Sequence, residues 1–370
     1  MTASPEDADD TQALADAVRI AARRRSALRI VGSDSKGFLG RRPAHASPLS
    51  TTRHRGILSY QPEELVLTAR AGTPLMELEA LLAESGQHLP FDPPQFAAGG
   101  GTLGGAIASG LSGPARPYAG AARDFVLGVR MINGRGQILR FGGEVMKNVA
   151  GYDISRLVTG AYGTLGLLLD VSVKVLPAPP VTRSFSRSTT QRDAIDLCQR
   201  LRAISLPLCG AMWQGEKLVI RLGGSEDVVA AAANRLREVV GALEPARDSD
   251  WQALRDHTLE WFEQRDARQG LYRLSVAPAS RPLDLPGSCL LDWGGAQRWL
   301  ISDAPLQSVR NEARALDGHA TRYHAPATAG DDDAGVFHPL PPTLFALHRR
   351  LKAAFDPHGV FNPGRLYPGI

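Results

Sequence analysis

The chain has little cysteine: Cys198, Cys209 and Cys289 are scattered over 370 residues and odd in number. They form no disulfide framework, and their spacing suits neither a zinc site nor an iron–sulfur cluster. A reducing, cytoplasmic setting is expected. No apolar run reaches the ~18 residues of a membrane helix, so no transmembrane segment is expected. The opening MTASPEDADD is acidic and lacks the apolar core of a secretory leader. Aromatics make up 6% of the chain and do not interleave a basic stripe, so a formal net charge of +4 gives no reason to expect nucleic acid as a partner. Of nine histidines, only His319 and His324 lie within five residues of each other. Asp331-Asp332-Asp333 reads as a solvated loop, because consecutive carboxylates repel and rarely converge on one ion, and no metal is expected.

Glycine, with 38 residues, is plentiful, and it crowds into Pro90–Gly113, PFDPPQFAAGGGTLGGAIASGLSG. The chain spends glycine where the backbone turns sharply or is closely approached. The apolar residues Leu103, Ala106, Ile107 and Ala108 predict a short helix whose first amides face the glycines, an arrangement that suits an anion. Gly99, Gly101 and Gly104, with Asp124 twenty residues beyond Gly104, spell a dinucleotide fingerprint. The context rejects it. Phe91-Asp92-Pro93-Pro94-Gln95 is no central strand, and Asp124 is expected to begin a strand (Phe125 to Ile132) where the fingerprint needs one to end.

Before this stretch, Thr11 to Arg24 predicts a helix capped by Thr11, and Leu28 to Val31 a strand. The strand runs into Gly32-Ser33-Asp34-Ser35-Lys36-Gly37, which reads equally as a surface turn or as a backbone nest able to wrap a diphosphate. It lacks Walker A spacing. Leu65 to Ala69 is a strand candidate, and Thr73-Pro74 opens a leucine-faced helix ended by Gly86. After the glycine stretch, Phe125 to Ile132 and Gln137 to Phe141 flank Asn133-Gly134-Arg135-Gly136, a hairpin with a structural role. Lys147 to Asp153 leads into a helix, and Gly163-Thr164-Leu165-Gly166 enters a strand from Leu167 to Leu176.

Gly101-Thr102-Leu103-Gly104-Gly105, Arg123-Asp124-Phe125-Val126-Leu127-Gly128, Lys147 to Asp153 and Gly163-Thr164-Leu165-Gly166 occur in an order that resembles the FAD domain of the vanillyl-alcohol-oxidase/PCMH flavoproteins. Val360-Phe361-Asn362-Pro363-Gly364-Arg365-Leu366 is similar to the ending of that family's lactate and glycolate branch, and within it the chain looks like the accessory, FAD-binding members. The resemblance implies FAD, held non-covalently, since the Gly32 loop has no histidine or cysteine tether. It places the cofactor against Gly32, Ser33, Asp34, Ser35, Lys36 and Gly37 as pyrophosphate loop, and against Gly101, Thr102, Leu103, Gly104 and Gly105. It adds Ala108, Ser109, Gly110, Asp124, Gly163, Gly166, Leu167 and Asn362. Gly104 in particular is expected to let the diphosphate approach the backbone.

Pro177-Ala178-Pro179-Pro180 is a stiff linker. Beyond it a β-α-β-β-α pattern is followed, after a helix from Trp251 to Phe262, by a weaker copy whose first helix has shrunk to a proline-rich loop, Arg281 to Gly287. Two ferredoxin-like half-units would make one antiparallel sheet. The expected fold class is α+β: a PCMH-type FAD domain of two α/β subdomains over 1–178, a ferredoxin-like cap over 179–335, and a segment over 336–370 that returns to the flavin.

Oxidation of a 2-hydroxy acid needs a cation for the carboxylate and a base for the hydroxyl proton. Arg322, Tyr323, His324 and Arg365 are the catalytic candidates, and His338 lies in a proline-rich loop. The catalytic relatives carry a His-Gly-Asp-Gly-Asn-type cluster, and the chain has none. The resemblance thus implies an accessory role in oxidising glycolate to glyoxylate, beside a catalytic flavoprotein subunit and an iron–sulfur subunit. A self-sufficient FAD-dependent D-lactate or 2-hydroxy-acid dehydrogenase, and a structural partner that has lost FAD, are the alternatives.

Overall fold

The apolar stripe of Thr11–Arg24, with Leu14, Ala15, Val18 and Ala21 buried, forms the first helix of a computed structural model that describes residues 8–41, 45–96, 100–143, 153–327 and 335–370. The chain divides into two units. The first takes in residues up to Ser112 together with Gly120–Ala178 and Pro339–Ile370; the second is Gly113–Ala119 with Pro179–His338.

In the first unit, β1 (Leu28–Val31) pairs in parallel with β2 (Ser47–Ser50). A five-stranded antiparallel sheet follows, built from β3 (Ile57–Gln61), β4 (Val66–Arg70), β6 (Val126–Ile132), β7 (Ile138–Gly142) and β8 (Leu167–Lys174) in the order β3-β4-β8-β6-β7; β5 (Gln87–His88) pairs separately with β9 (Leu176–Pro177). The helix Leu75–Glu84 buries Leu75, Leu78 and Leu82 completely, as the leucine spacing requires, each worth about 1.5–3 kcal/mol. These leucines join Leu103, Ile107, Val171 and Val173 in one core, while Leu167, Leu169, Val360 and Phe361 pack with the first helix in another. β8 serves both cores, and seven of its eight residues are buried. A strand covered on both faces reads as a continuous apolar run, as this one does.

The second unit is a single eight-stranded sheet, all of whose pairings are antiparallel. Its first half holds β10 (Val181–Ser188), β11 (Leu208–Gln214), β12 (Lys217–Gly224) and β13 (Glu244–Ala246); its second holds β14 (Gly270–Ser275), β15 (Ser288–Asp292), β16 (Gln297–Ser302) and β17 (His319–His324). The order β13-β10-β12-β11-β15-β16-β14-β17 is two ferredoxin-like half-sheets, each 4-1-3-2 in its own count, joined at their second strands through Trp213 and Leu291. Thr190 and Ser225 cap the two helices of the first half through their hydroxyls. In the second half, Arg298 stands in for the missing helix. It is fully buried on β16, and its guanidinium donates to the carbonyls of Ser280, Arg281 and Gly295, which fixes the proline-rich loop.

Several expectations change. Phe125 ends a short helix, Ala122–Phe125, and the strand starts at Val126. The helix expected over Trp251 to Phe262 breaks into Ser249–Asp256 and Glu260–Glu263, because His257 takes a left-handed φ of 58°. The first helix is entered through Asp10, while Asp9 Oδ1 accepts from the Thr11 amide, so Thr11 is not its cap. Gly113–Ala119, placed by sequence in the FAD domain, belongs to the second unit: Trp293 Nε1 donates to Gly113 O at 3.0 Å and Arg116 lies 4.3 Å over the Trp293 ring. The Lys147–Tyr152 and Asp331–Asp333 readings fall outside the described residues.

Candidate functional site

β1 delivers the chain into Gly32–Gly37, where Asp34 adopts a left-handed φ of 56° and its carbonyl accepts from Gly37 N at 2.9 Å. A left-handed residue in such a turn is the conformation from which a backbone nest can be built. Among the described residues, the amides of Ser33, Asp34 and Ser35 have no protein partner. Arg29 holds both Asp34 carboxylate oxygens at 3.0 Å, so the one acidic side chain in the loop is neutralised. The loop is a nest.

An open cleft lies over it in the first unit. Gly32, Ser33, Asp34, Ser35, Lys36 and Gly37 line one side; Thr102, Gly105, Ala108 and Ser109 line another; Tyr162, Asn362 and Arg365 complete it. Asn362 ties the walls together: its Oδ1 accepts from Ile30 N at 2.9 Å and its Nδ2 donates to Tyr162 O at 2.7 Å. Tyr162 N in turn donates to Ala108 O at 2.7 Å, which fixes this loop to the helix Leu103–Ser109. The C-terminal tail is held by Lys352, which is buried and donates from Nζ to Thr164 O, Asp356 Oδ2 and Phe361 O at 2.7–2.8 Å. Burial pushes the Lys352 pKa below the ordinary lysine value, and the Asp356 carboxylate opposes that shift.

The structure corrects the reading of the glycine stretch. Leu103 N donates to Thr73 O and Gly104 N to Ala71 O, while Thr102 Oγ1 accepts from Gly105 N. The first amides of this helix are therefore spent inside the protein and present no anion site. A Cβ on Gly104 would stand 2.7 Å from Ala71 Cβ and 2.9 Å from Ala71 O, so this glycine lets the helix sit on the end of β4. Leu103 and Leu167 are fully buried core residues, and Gly166 packs against Met131 and Ile132. Gly110 ends the helix against Gly160, and Gly163 gives room to the Asn362 amide. A Cβ built on Gly101 would stand 3.0 Å from Lys36 Nζ, and Gly105 lines the cleft. Asp124 is spent on its own helix, accepting from Ala121 N at 2.9 Å, and it borders a different cleft beside Arg123, Asp153 and His348.

The catalytic candidates are divided between the two units. Arg322, Tyr323 and His324 lie on β17, the edge strand of the second unit, whereas Arg365 lines the cleft of the first. β17 is bulged at this point, with Leu271 opposite His324 and Tyr272 opposite Arg322, and the Tyr323 and His324 ring centroids lie 6.3 Å apart. Tyr323 is buried among Trp299, His257 and Arg273. Burial, with Arg265 nearby, holds the His324 imidazole below its ordinary pKa. His338 Nδ1 accepts from Ala320 N at 3.2 Å, a structural contact.

With this geometry in view, comparison with known proteins is decisive. The FAD binding domain family matches residues 7–142, and the C-terminal domain family of FAD linked oxidases matches residues 338–366. Glycolate oxidase subunit GlcE of Escherichia coli (strain K12) is 46% identical over 359 residues, covering 97% of this chain and 98% of its own. The chain belongs to the FAD-linked oxidases, in the GlcE family. Glycolate oxidase subunit GlcD of Bacillus subtilis (strain 168) is 33% identical over 129 residues, 35% of this chain and 27% of that one. In fold, the 4-ethylphenol oxidase of Gulosibacter chungangensis is similar, with a TM-score of 0.66 at 16% identity over 97% of this chain and 88% of that one.

The GlcE-family chain thus carries an FAD binding domain, and its Gly32–Gly37 loop has the chemistry a diphosphate would need: an Asp34 paired with Arg29, and Lys36 and Arg365 at the cleft. Sequence reasoning missed Tyr162 and the staple made by Lys352. Tyr162 gave no signal beyond its glycine-rich neighbours, and Lys352 reads as one of three basic residues late in a helix.

Proposed function

We propose that this chain is the accessory, FAD-holding subunit of a glycolate-oxidising complex, working beside a catalytic flavoprotein subunit and an iron–sulfur subunit. The observation that carries this is the end-to-end 46% identity to GlcE combined with a cleft built for a diphosphate. FAD, when bound, accepts the hydride of a 2-hydroxy acid or relays electrons derived from it. The chain's own contribution is to hold and orient it: the nest binds the diphosphate, Asn362 fixes the walls, and Ala108 and Ser109 line the cleft. Among the described residues no cysteine or histidine lines it, which supports non-covalent binding. The lack of a His-Gly-Asp-Gly-Asn-type cluster in the sequence supports a relay or assembly role over independent catalysis. A cytoplasmic location follows from this reading, with any membrane association arising through the complex; no helix among the described residues is long and apolar enough to cross a membrane. The test is turnover. With glycolate and a dye acceptor, the chain alone should give none, and adding the catalytic flavoprotein and iron–sulfur subunits should give rates of ~1 s⁻¹ or more. Comparable turnover by the isolated chain would establish a self-sufficient dehydrogenase instead.

A further inference from the structure

The helix Pro342–Phe355 carries an apolar stripe that its own packing does not use. Leu344, Leu347 and Leu351 follow at intervals of three and four residues and so share one face. Leu351 and Phe355 reach the core of the first unit, and Lys352 is the one buried side chain of the helix. Leu344 and Leu347 stay 40% and 48% exposed. Five other large apolar side chains are similarly exposed among the described residues, each alone on its own element: Ile20, Leu58, Met76, Ile138 and Val228. Single exposed apolar residues are ordinary, whereas contiguous apolar surface marks an interaction site. Here the surface is contiguous, because the stripe runs into a groove. Leu351 lines that groove together with Leu157, Ala161, Leu165, Leu366 and Ile370, all of them in the first unit.

Charge limits what can lie there. Arg350 stands one turn after Leu347 on the exposed side of the stripe, and among the described residues it forms no ion pair. Arg123 and Arg156 border the groove and are exposed. The aspartates next to them also serve the backbone: Asp124 accepts from Ala121 N and Asp153 from Arg156 N. The rim therefore favours carboxylates from outside. The groove also shares a wall with the candidate cofactor cleft. Gly160, Ala161 and Thr164 line the groove while Tyr162 lines the cleft, and Leu366 lines the groove while Arg365 lines the cleft.

Building on the reading of a multi-subunit complex, we infer that this stripe and groove are the docking surface for the catalytic flavoprotein subunit. The segment that docks is an amphipathic helix whose apolar residues enter the groove and whose flanking Asp or Glu side chains meet Arg350. The shared wall selects this occupant, because a relay role requires the two flavoproteins to meet close to the cofactor.

The experiment titrates the full chain with the purified catalytic flavoprotein subunit at several salt concentrations. L347E should weaken binding about 10- to 100-fold, as loss of an interface anchor does. R350E should weaken it about 10-fold at low salt and less at high salt. V228E, which alters an equally exposed apolar residue of the second unit, should bind as the wild type does. Hydrogen exchange on the unmodified protein needs no variant: the flavoprotein should slow exchange in the peptide spanning residues 342–351. Unchanged affinity in L347E and R350E, an equal loss in V228E, or no protection of that peptide would overturn the inference while leaving the complex intact. A dimer of the chain alone that L347E dissolves would assign the surface to a second copy instead. Loss of binding by L347E to the isolated iron–sulfur subunit, with flavoprotein binding unchanged, would assign it to that subunit. Failure of the wild type to bind either subunit would overturn the reading of a complex and this inference with it.

Discussion

Replacing Lys352 by Met should loosen the first unit selectively. Lys352 Nζ makes three hydrogen bonds, to Thr164 O at 2.8 Å, to Phe361 O at 2.7 Å and to Asp356 Oδ2 at 2.7 Å. Methionine keeps the stem and removes all three. Asp356, 2% exposed, would keep its contacts with the amides of Val360 and Phe361 and lose its counter-charge. Leaving one member of a buried pair alone costs about 3–5 kcal/mol. D356N should cost less on the K352M background than on the wild type, with a coupling of about 1–3 kcal/mol in a double-mutant cycle. The two units supply their own reporters, since Trp213, Trp251, Trp261, Trp293 and Trp299 all lie in the second. In urea titrations of K352M, the part of the far-ultraviolet circular dichroism transition not shared with tryptophan fluorescence should move to lower denaturant, and the fluorescence transition should stay. A K352M variant within about 0.5 kcal/mol of wild type, the range of ordinary surface substitutions, would refute the staple. So would equal movement of both transitions.

Other substitutions test the remaining assignments. G104A should destabilise the first unit by about 1–3 kcal/mol through overpacking on Ala71, while folded molecules bind FAD with unchanged affinity; loss of FAD with normal stability would return Gly104 to the cofactor. R298M leaves the carbonyls of Ser280, Arg281 and Gly295 without their donor and should lower the tryptophan-reported stability by about 3 kcal/mol, and an unmoved fluorescence transition would refute that role. Burial pushes the His257 imidazole down to about 3. Below pH 6.5 the unfolded chain then binds a proton that the folded chain refuses, so stability is greatest above pH 6.5 and falls as the pH drops toward 3. The loss is about 1.4 kcal/mol per pH unit, and H257F should flatten this slope in acid titrations followed by tryptophan fluorescence; an unchanged slope would show that His257 is not its source.

Much of the architecture was legible because periodicity and turn chemistry agree. The leucine face of Leu75–Glu84, the Asn133–Gly136 hairpin and the Ser225 cap each follow from local sequence. The two ferredoxin-like halves were visible in element order alone. What escaped depends on distant partners. β2 reads Ser-Pro-Leu-Ser and is a strand only because β1 pairs with it. Lys352 looks like a surface lysine until Thr164 and Phe361 arrive from elsewhere in the chain. The glycine stretch misled for a related reason: a glycine that admits a neighbouring strand and one that admits a ligand look alike in sequence. Only the carbonyls of Ala71 and Thr73, which take the amides of Gly104 and Leu103, separate the two. The Gly32 loop was legible as a turn because its signal is local, lying in small residues directly after a strand.

The central claim is that this chain holds FAD, and an absorption spectrum of the purified protein tests it most directly. After desalting, bands at about 450 nm from a flavin chromophore, released by denaturation as free FAD, are the predicted result. A colourless protein that takes up no added FAD would contradict the account.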